Sequence, residues 1–201
     1  MENVKDIDGN SYKTAKIGDQ IWMAENLKVT HYRNGDPIPN LTDNPHRTTG
    51  AYCNYDNDED NVKTYGRLYN WYAVGDERGL APKGWHVPTH EEWTILIDYL
   101  GGWKIAGGKM KSTGTIEGDD GLWESPNEGA TNESSFNALP GGESFHSDGS
   151  YDGIGQLTPF WSSTEEDGSE AWFRLLGFSS SDVIKTKYWK NNGYSVRCIK
   201  D

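Results

Sequence analysis

The sequence predicts an α+β fold in a single domain that spans residues 1–201. Three observations lead to this prediction: alternating, turn-bounded segments at both ends of the chain, one capped amphipathic helix in the first half, and a long stretch rich in Gly, Ser, Asn and Asp between them. No repeat or linker divides the chain, whose length suits one domain. We therefore expect small antiparallel sheets, about two helices and long ordered loops.

The N-terminal third predicts a β-hairpin followed by irregular structure. Residues Ser11–Ile17 and Gln20–Ala24 alternate on either side of a Gly-Asp turn. The segment Asn26–Thr49 contains three prolines among Asn, Asp and Thr, which is typical of a long loop. An acidic loop at Asp56–Asn61 then precedes a candidate short helix, Arg67–Val74.

The clearest helix is predicted at Thr89–Leu100. Thr89 is a suitable N-cap, and Glu92 three residues later completes a capping box. The apolar residues of this segment recur at i, i+3, i+4 and i+7, so they share one face. They are Trp93, Leu96, Ile97 and Leu100.

The second half of the chain predicts packed loops and then strands. Residues 103–160 form a polar stretch that is too long for an unstructured loop in a compact domain, so we expect it to fold back and pack locally. The segments Ala171–Leu176, Asp182–Trp189 and Tyr194–Ile199 are separated by turn signals and predict an antiparallel meander.

Charge and hydropathy exclude several classes of partner. The net charge is −12 and the pI about 4.8, with Lys and Arg scattered singly, so nucleic acid is not an expected partner. The chain contains no run of 18 apolar residues, so no membrane span is expected. Its first six residues have neither a basic leader nor an apolar stretch, and we expect a signal segment to be absent from this sequence.

Aromatic residues are the most informative part of the composition. Only 34% of residues are hydrophobic, but 9 Trp and 11 Tyr supply large apolar surfaces. Some of these rings would build the core, while others would be displayed among amides and carboxylates, as a sugar-binding face requires. The candidates for display are Trp103, Trp123, Trp189, Tyr151, Phe173 and Tyr188.

The acidic loop resembles a calcium site in part. Asp56, Asp58 and Asp60 match positions 1, 3 and 5 of an EF-hand loop. Asn61 stands where Gly is needed and Arg67 where a bidentate Glu is needed. A less regular calcium loop and a solvated acidic turn are both compatible with the pattern, and we expect no other cofactor.

Motifs of known catalytic classes are incomplete. His86 and His90 are four residues apart, but Pro88 lies between them, so they do not share a helix face. Gly102–Lys109 lacks the G-K-[ST] of a phosphate loop. Paired carboxylates for glycoside hydrolysis could come from a loop, although an acidic loop explains them equally well. These are Glu124, Glu128 and Glu133.

The two cysteines, Cys53 and Cys198, lie 145 positions apart and form no C-x-x-C motif. Two interpretations stay open: a pair of buried free thiols, or a disulfide that closes a long loop and so indicates export.

Segments in order from residue 6 to residue 201 resemble one bacterial family, the Fibrobacter succinogenes major paralogous domain. The resemblance is carried by Asp8-Gly9-Asn10-Ser11-Tyr12, Ile17-Gly18-Asp19-Gln20-Ile21-Trp22-Met23-Ala24-Glu25-Asn26-Leu27, Tyr65-Gly66-Arg67-Leu68-Tyr69-Asn70-Trp71, Gly84-Trp85-His86-Val87-Pro88-Thr89, Phe136-Asn137-Ala138-Leu139-Pro140-Gly141-Gly142, Phe160-Trp161-Ser162-Ser163-Thr164-Glu165 and Tyr194-Ser195-Val196-Arg197-Cys198-Ile199-Lys200-Asp201.

This resemblance implies a C-type lectin-like fold, similar to formylglycine-generating sulfatase modifiers, in secreted or surface-anchored bacterial proteins that are often lipoproteins. No established activity accompanies the family. The copper-binding cysteine pair of the sulfatase modifiers does not transfer, because Cys53 has no neighbouring thiol.

The resemblance also indicates where a ligand would bind, since lectin-like folds commonly meet ligands near the last strands. Side chains alternate along a strand, so those next to Trp172 and Arg174 point to the opposite face. Together with residues of the following hairpin they form the expected ligand face: Phe173, Leu175, Tyr188, Trp189, Asn191 and Asn192.

The leading hypothesis is a noncatalytic extracellular or cell-surface module, anchored outside the cell, that recognises a glycan or a surface protein and serves in adhesion. One alternative is an enzyme related to the sulfatase modifiers, or a carboxylate-dependent hydrolase. The other is a structural or adhesive spacer.

Overall fold

A computed structural model of the chain describes residues 3–41 and 48–201. Within these residues it has four α-helices: α1 (Glu59–Tyr65), α2 (Trp71–Val74), α3 (His90–Tyr99) and α4 (Trp103–Met110). The thirteen strands in the same part of the chain are β1 (Val4–Lys5), β2 (Ser11–Tyr12), β3 (Thr14–Ile17), β4 (Gln20–Met23), β5 (Tyr52–Cys53), β6 (Leu68–Tyr69), β7 (Trp85–His86), β8 (Gly141–Ser144), β9 (Tyr151–Ile154), β10 (Leu157–Glu165), β11 (Glu170–Gly177), β12 (Ile184–Trp189) and β13 (Ile199–Lys200).

The strands form small sheets in which every pairing between named strands is antiparallel. The largest has the order β3-β4-β13-β7, and a three-stranded sheet has the order β10-β11-β12. Three further sheets have two strands each: β1-β2, β5-β6 and β8-β9. The α+β class and the small antiparallel sheets are therefore confirmed, while the C-type lectin-like fold stays a prediction.

Two predictions that rest on local signals are confirmed. Strands β3 and β4 form the N-terminal hairpin, with Gly18 at φ 60° in the turn between them. Helix α3 begins after Thr89, whose side chain accepts from the Glu92 amide while the Glu92 side chain accepts from the Thr89 amide. Its apolar face, including Trp93, is buried.

The prediction for Arg67–Val74 was wrong in part. This segment contains strand β6 and then the single turn α2, which Asn70 caps by accepting from the Ala73 amide. The longer helix of this region is α1, which begins within the predicted acidic loop and continues beyond it. Asp58 caps its start, and Gly66, at φ 81°, ends it.

Two predictions for the second half are also corrected. Residues 103–160 contain α4 and the β8-β9 hairpin, so the structure has four helices in its described part rather than about two. Tyr194–Ile199 does not continue a meander: Ile199 pairs with Trp22 of β4 and His86 of β7 in the other sheet. The pairing of β11 with β12 is as expected.

Helix α4 packs closely on the connection between β11 and β12. A Cβ on Gly107 would lie 2.5 Å from the Asp182 carbonyl oxygen, so only glycine allows this approach. The buried Lys111 ammonium donates to the Gly177 and Ser180 carbonyl oxygens, both at 2.9 Å. Burial lowers the pKa of Lys111 to about 8.

Aromatic rings fill the core, as the composition predicts. In one cluster the tilted rings of Trp22 and Trp93 lie 4.8 Å apart between centroids, and Phe136 packs against both. A second is built around Trp161 and Tyr194, whose centroids are 4.3 Å apart. Among the described residues, none of the helices is long and apolar enough to cross a membrane.

Candidate functional site

The expected ligand face is only partly at the surface. Phe173 and Asn192 are buried and Leu175 is half-buried, so the interpretation of Phe173 and Asn192 as direct ligand contacts is corrected. Tyr188 and Trp189 are exposed, with 41% and 44% of their surfaces accessible. These two rings remain available to a ligand.

Phe173 is buried because its side of β11 belongs to a hydrophobic core cluster. The predicted alternation is correct, but the Phe173 face packs against the core. Its ring lies 5.9 Å from that of Trp161 and 4.8 Å from that of Tyr194. Local periodicity shows which residues share a face but not what covers that face.

The other aromatic candidates for display also separate into two groups. Trp123 is fully buried, and its indole N–H donates to the Ala138 carbonyl oxygen at 3.1 Å, so this candidate is not one of the displayed rings. Tyr151 is half-buried and donates its hydroxyl to Asn57 Oδ1 at 2.9 Å. Trp103, in contrast, is 55% exposed.

Asn191 lines a cleft of about 230 Å³ beside the β8-β9 hairpin. The side chains around this cleft combine two aromatic rings with amide, imidazole and carboxylate groups: Phe145, Tyr151, His146, Asn57, Asp148 and Asn191. We call this the hairpin cleft.

The hairpin cleft adjoins the exposed end of β12. Ser144 and Gly193 exchange two backbone hydrogen bonds of 3.0 and 2.9 Å, which hold the segment after β12 against β8. The His146 ring lies 6.3 Å from that of Trp189. Trp189, His146 and Asn191 therefore come together, although 43 residues or more separate His146 from the other two in sequence.

A chain of polar contacts leads from the cleft into the protein. His146 Nδ1 lies 2.8 Å from Asn192 Oδ1, and Asn192 Nδ2 donates to the Tyr194 hydroxyl at 3.3 Å. Tyr194 also hydrogen-bonds Glu143. Burial raises the pKa of Glu143 to about 7; the bond to Tyr194 opposes this rise and the charge of Asp152 adds to it. The buried Asn192 thus positions the His146 ring and is not itself placed to contact a ligand.

Sequence reasoning missed His146, Phe145, Asn57 and Glu143. A signal for the first two was present: Asp148-Gly149 is a turn signal, and it lies between two short segments that form β8 and β9. The approach of Asn57 is nonlocal, and no local pattern indicates it.

The three aspartates of the acidic loop are exposed and already have local roles. Asp58 accepts from the Asp60 amide as the helix cap, and Asp60 pairs with Lys63 at 2.6 Å. Asp56 lies in a short turn at φ 53°. Among the residues that the structure describes, no group of three or more His, Cys, Asp or Glu could hold a metal ion. Calcium binding stays a prediction.

Other polar candidates have structural partners. His86 Nδ1 lies 2.7 Å from Asp201 and its Nε2 lies 2.8 Å from Glu92, so both ring nitrogens are engaged. His90 packs edge-on against Trp172 at 5.0 Å. The three glutamates do not present a common site: Glu133 pairs with Lys109 at 2.8 Å, Glu124 accepts from Gln156 at 3.0 Å, and Glu128 is exposed.

The two cysteines are buried free thiols, so the structure contains no disulfide between them. Cys198 belongs to the cluster around Trp161, and Cys53 to a separate small cluster with Tyr55 and Leu68. Burial raises the pKa of the Cys53 thiol to about 11 and also raises that of Cys198.

Comparison with known proteins gives one result about relationship. The searches of curated proteins and of solved structures found no match to the chain. The family model described as the Fibrobacter succinogenes major domain matches residues 15–200, which is nearly the whole chain and includes every residue of the hairpin cleft. The chain therefore belongs to the Fibrobacter succinogenes major domain family.

Proposed function

We propose that this chain is a noncatalytic recognition module, located outside the cell or on its surface, that binds a glycan in the hairpin cleft. One observation carries the proposal: the exposed ring of Trp189 lies 6.3 Å from that of His146, at a cleft that is lined by further aromatic and polar side chains. The extracellular location is part of the proposal and is supported by the family resemblance.

The chemistry of the cleft suits a sugar. A pyranose presents an apolar face, which stacks on aromatic rings, and a rim of hydroxyls, which needs donors and acceptors at fixed positions. Phe145 and Tyr151 supply rings, while Asn57, Asn191 and Asp148 supply amides and a carboxylate. A surface protein that engages the same exposed rings is the alternative partner.

A glycan array probed with the wild type and two variants tests the proposal. Trp189→Ala should weaken binding by roughly tenfold or more, because a stacked ring at a binding site is a typical hot spot. Asn191→Ala should weaken binding of the same glycans. Tyr99→Ala removes a ring from α3 that is 65% exposed, more than that of Trp189, and is the control. Unchanged binding in both cleft variants, or equal loss in the control, contradicts the proposal.

A second candidate function is hydrolysis, favoured by one specific observation. Glu143 and Asp152 lie directly opposite each other in the β8-β9 register, and Glu143 has a raised pKa of about 7. Such a pair can act as an acid and a base on a glycosidic bond. Release of new reducing ends from a bound glycan by the wild type, and its loss in Glu143→Gln, would support hydrolysis over recognition.

A further inference from the structure

A second groove lies on a different part of the surface, between α3, the start of α4 and the start of β12. Its volume is about 460 Å³, within the usual range of ligand pockets. Two of its lining residues are unusually exposed for apolar side chains: Trp103 at 55% and Ile184 at 50%. We call this the α4 groove.

The walls of the α4 groove are held in place by backbone contacts. The Val183 amide donates to the Trp103 carbonyl oxygen at 2.7 Å, which joins the first residue of α4 to the approach to β12. Gly107 in α4 and Lys111, directly after α4, contact the same connection. The Trp103 backbone is therefore anchored, and its ring is presented to solvent on a rigid support.

Charge distinguishes this groove from the rest of an acidic chain. Arg174 and the exposed Lys185 are among the residues that line it. The Lys104 ammonium lies 5.3 Å from the centre of the Trp103 ring. The lining itself has two cations, Arg174 and Lys185, and one carboxylate, that of Asp98. A protein with a net charge of −12 thus concentrates positive charge around one exposed tryptophan.

Arg174 is fully buried and lacks a carboxylate partner among the described residues. Its guanidinium donates to the Phe173 and His90 carbonyl oxygens at 3.3 and 3.1 Å, and its Nε atom has no hydrogen-bond partner in the described part of the chain. Burial lowers the pKa of Arg174 to about 10, so the group is still charged at neutral pH. Its field beneath the groove is screened less by salt than that of a surface charge.

We propose that the α4 groove binds a uronic acid residue of an acidic polysaccharide, with the sugar ring on Trp103 and its carboxylate near Lys185 above Arg174. The polar side chains at the rim favour a sugar acid over an acidic peptide. Thr94 and Asp98 can hydrogen-bond sugar hydroxyls, which the side chains of an acidic peptide lack. This site is separate from the hairpin cleft and shares with the proposed function only the class of ligand.

Calorimetric titration with uronic acid trimers tests the proposal. The probes are trimers of galacturonate, glucuronate and mannuronate, each beside its fully methyl-esterified form, which keeps the rings and removes the charge. At least one free acid should bind, its ester should bind at least tenfold more weakly, and added salt should weaken the acid alone. Equal binding of an acid and its ester, or no binding by any acid, overturns the proposal.

Two variants assign the site without disturbing the buried arginine. Trp103→Ala should weaken binding of the acid by at least tenfold, and Lys185→Gln should weaken it and reduce its salt dependence. Near-UV circular dichroism checks that each variant is folded. Wild-type affinity in both folded variants overturns the proposal, as does hexaglutamate binding that depends on Trp103 and matches the uronates in affinity.

Trp189→Ala separates this proposal from the function proposed above. The variant should keep full affinity for the uronic acid trimer while losing the array glycans. If Trp189→Ala abolishes uronate binding and Trp103→Ala does not, the acid binds in the hairpin cleft, and the α4 groove proposal fails while the proposed function stands.

Discussion

Replacing Glu143 by Gln should make the protein progressively more stable, relative to the wild type, as the pH rises from about 4.5 to about 7. Glu143 is mostly buried in β8, where burial raises its pKa from 4.5 to about 7. In this window the folded state holds a proton that the unfolded state releases, so ionisation at higher pH costs stability. Glutamine keeps a hydrogen-bonding group near Tyr194 and carries no charge at any pH.

The magnitude follows from the size of the pKa change. A rise from 4.5 to about 7 corresponds to about 3 kcal/mol at 1.36 kcal/mol per pH unit. The carboxyl is partly accessible, so screening by solvent should reduce the measured difference to roughly 1–2 kcal/mol. Below pH 4.5 the difference between the two proteins should be constant.

Urea unfolding at pH 4.5, 5.5, 6.5 and 7.5 measures this difference. The free energy of unfolding of Glu143→Gln minus that of the wild type should increase across the series and level off above pH 7. Glu77→Gln makes the same chemical change at an exposed position and is the control. A difference that stays constant from pH 4.5 to 7.5 would refute the assignment of Glu143 as a buried, protonated carboxyl.

Three further predictions concern the fold. Gly107→Ala should lower the free energy of unfolding by about 1–3 kcal/mol, because the new Cβ would meet the Asp182 and Ser181 carbonyl oxygens at 2.5 and 2.7 Å. Gly168→Ala is the control, because no atom lies within 4 Å of its new Cβ. Equal stability of the two variants would argue against this packing. His86→Ala should destabilise the protein more at pH 5.5 than at pH 9. Burial opposes the charged imidazole, but its hydrogen bonds with Asp201 and Glu92 prevail and raise the pKa of His86. The stabilising effect of His86 is therefore present below pH 6.5 and is lost as the pH rises through the folded-state pKa. An equal loss of stability at both pH values would show that the ion pairs of His86 do not stabilise the folded state. Cys53 and Cys198 should react with a thiol reagent far more slowly in the native protein than in urea, because both thiols are buried and protonated; a count of no thiols in urea would reveal a disulfide instead.

Local signals in the sequence predicted those parts of the fold that local chemistry determines. The capping box of Thr89 and Glu92 defines the start of α3, and the glycine of the Gly-Asp turn defines the N-terminal hairpin. The α+β class follows from the same kind of signal. The family resemblance covered the chain from residue 6 and is confirmed over residues 15–200.

Nonlocal packing explains where the sequence predictions failed. Tyr194–Ile199 has the pattern of a strand, but its end pairs with β4 and β7 rather than with the outer edge of β12. The alternation around Phe173 is correct, yet the core covers the face that was expected to be open. For the site, exposure of Tyr188 and Trp189 was predicted correctly, whereas the approach of His146 depends on contacts with residues about 45 positions away.

Whether the hairpin cleft binds a glycan can be measured in a ¹H–¹⁵N NMR titration that follows the indole N–H resonances of the tryptophans as a glycan identified on the array is added. We expect the Trp189 resonance to shift in a saturable manner, while those of the buried Trp22, Trp93 and Trp123 do not move. Saturable binding that leaves the Trp189 resonance unchanged, with shifts confined to other tryptophans, would contradict it.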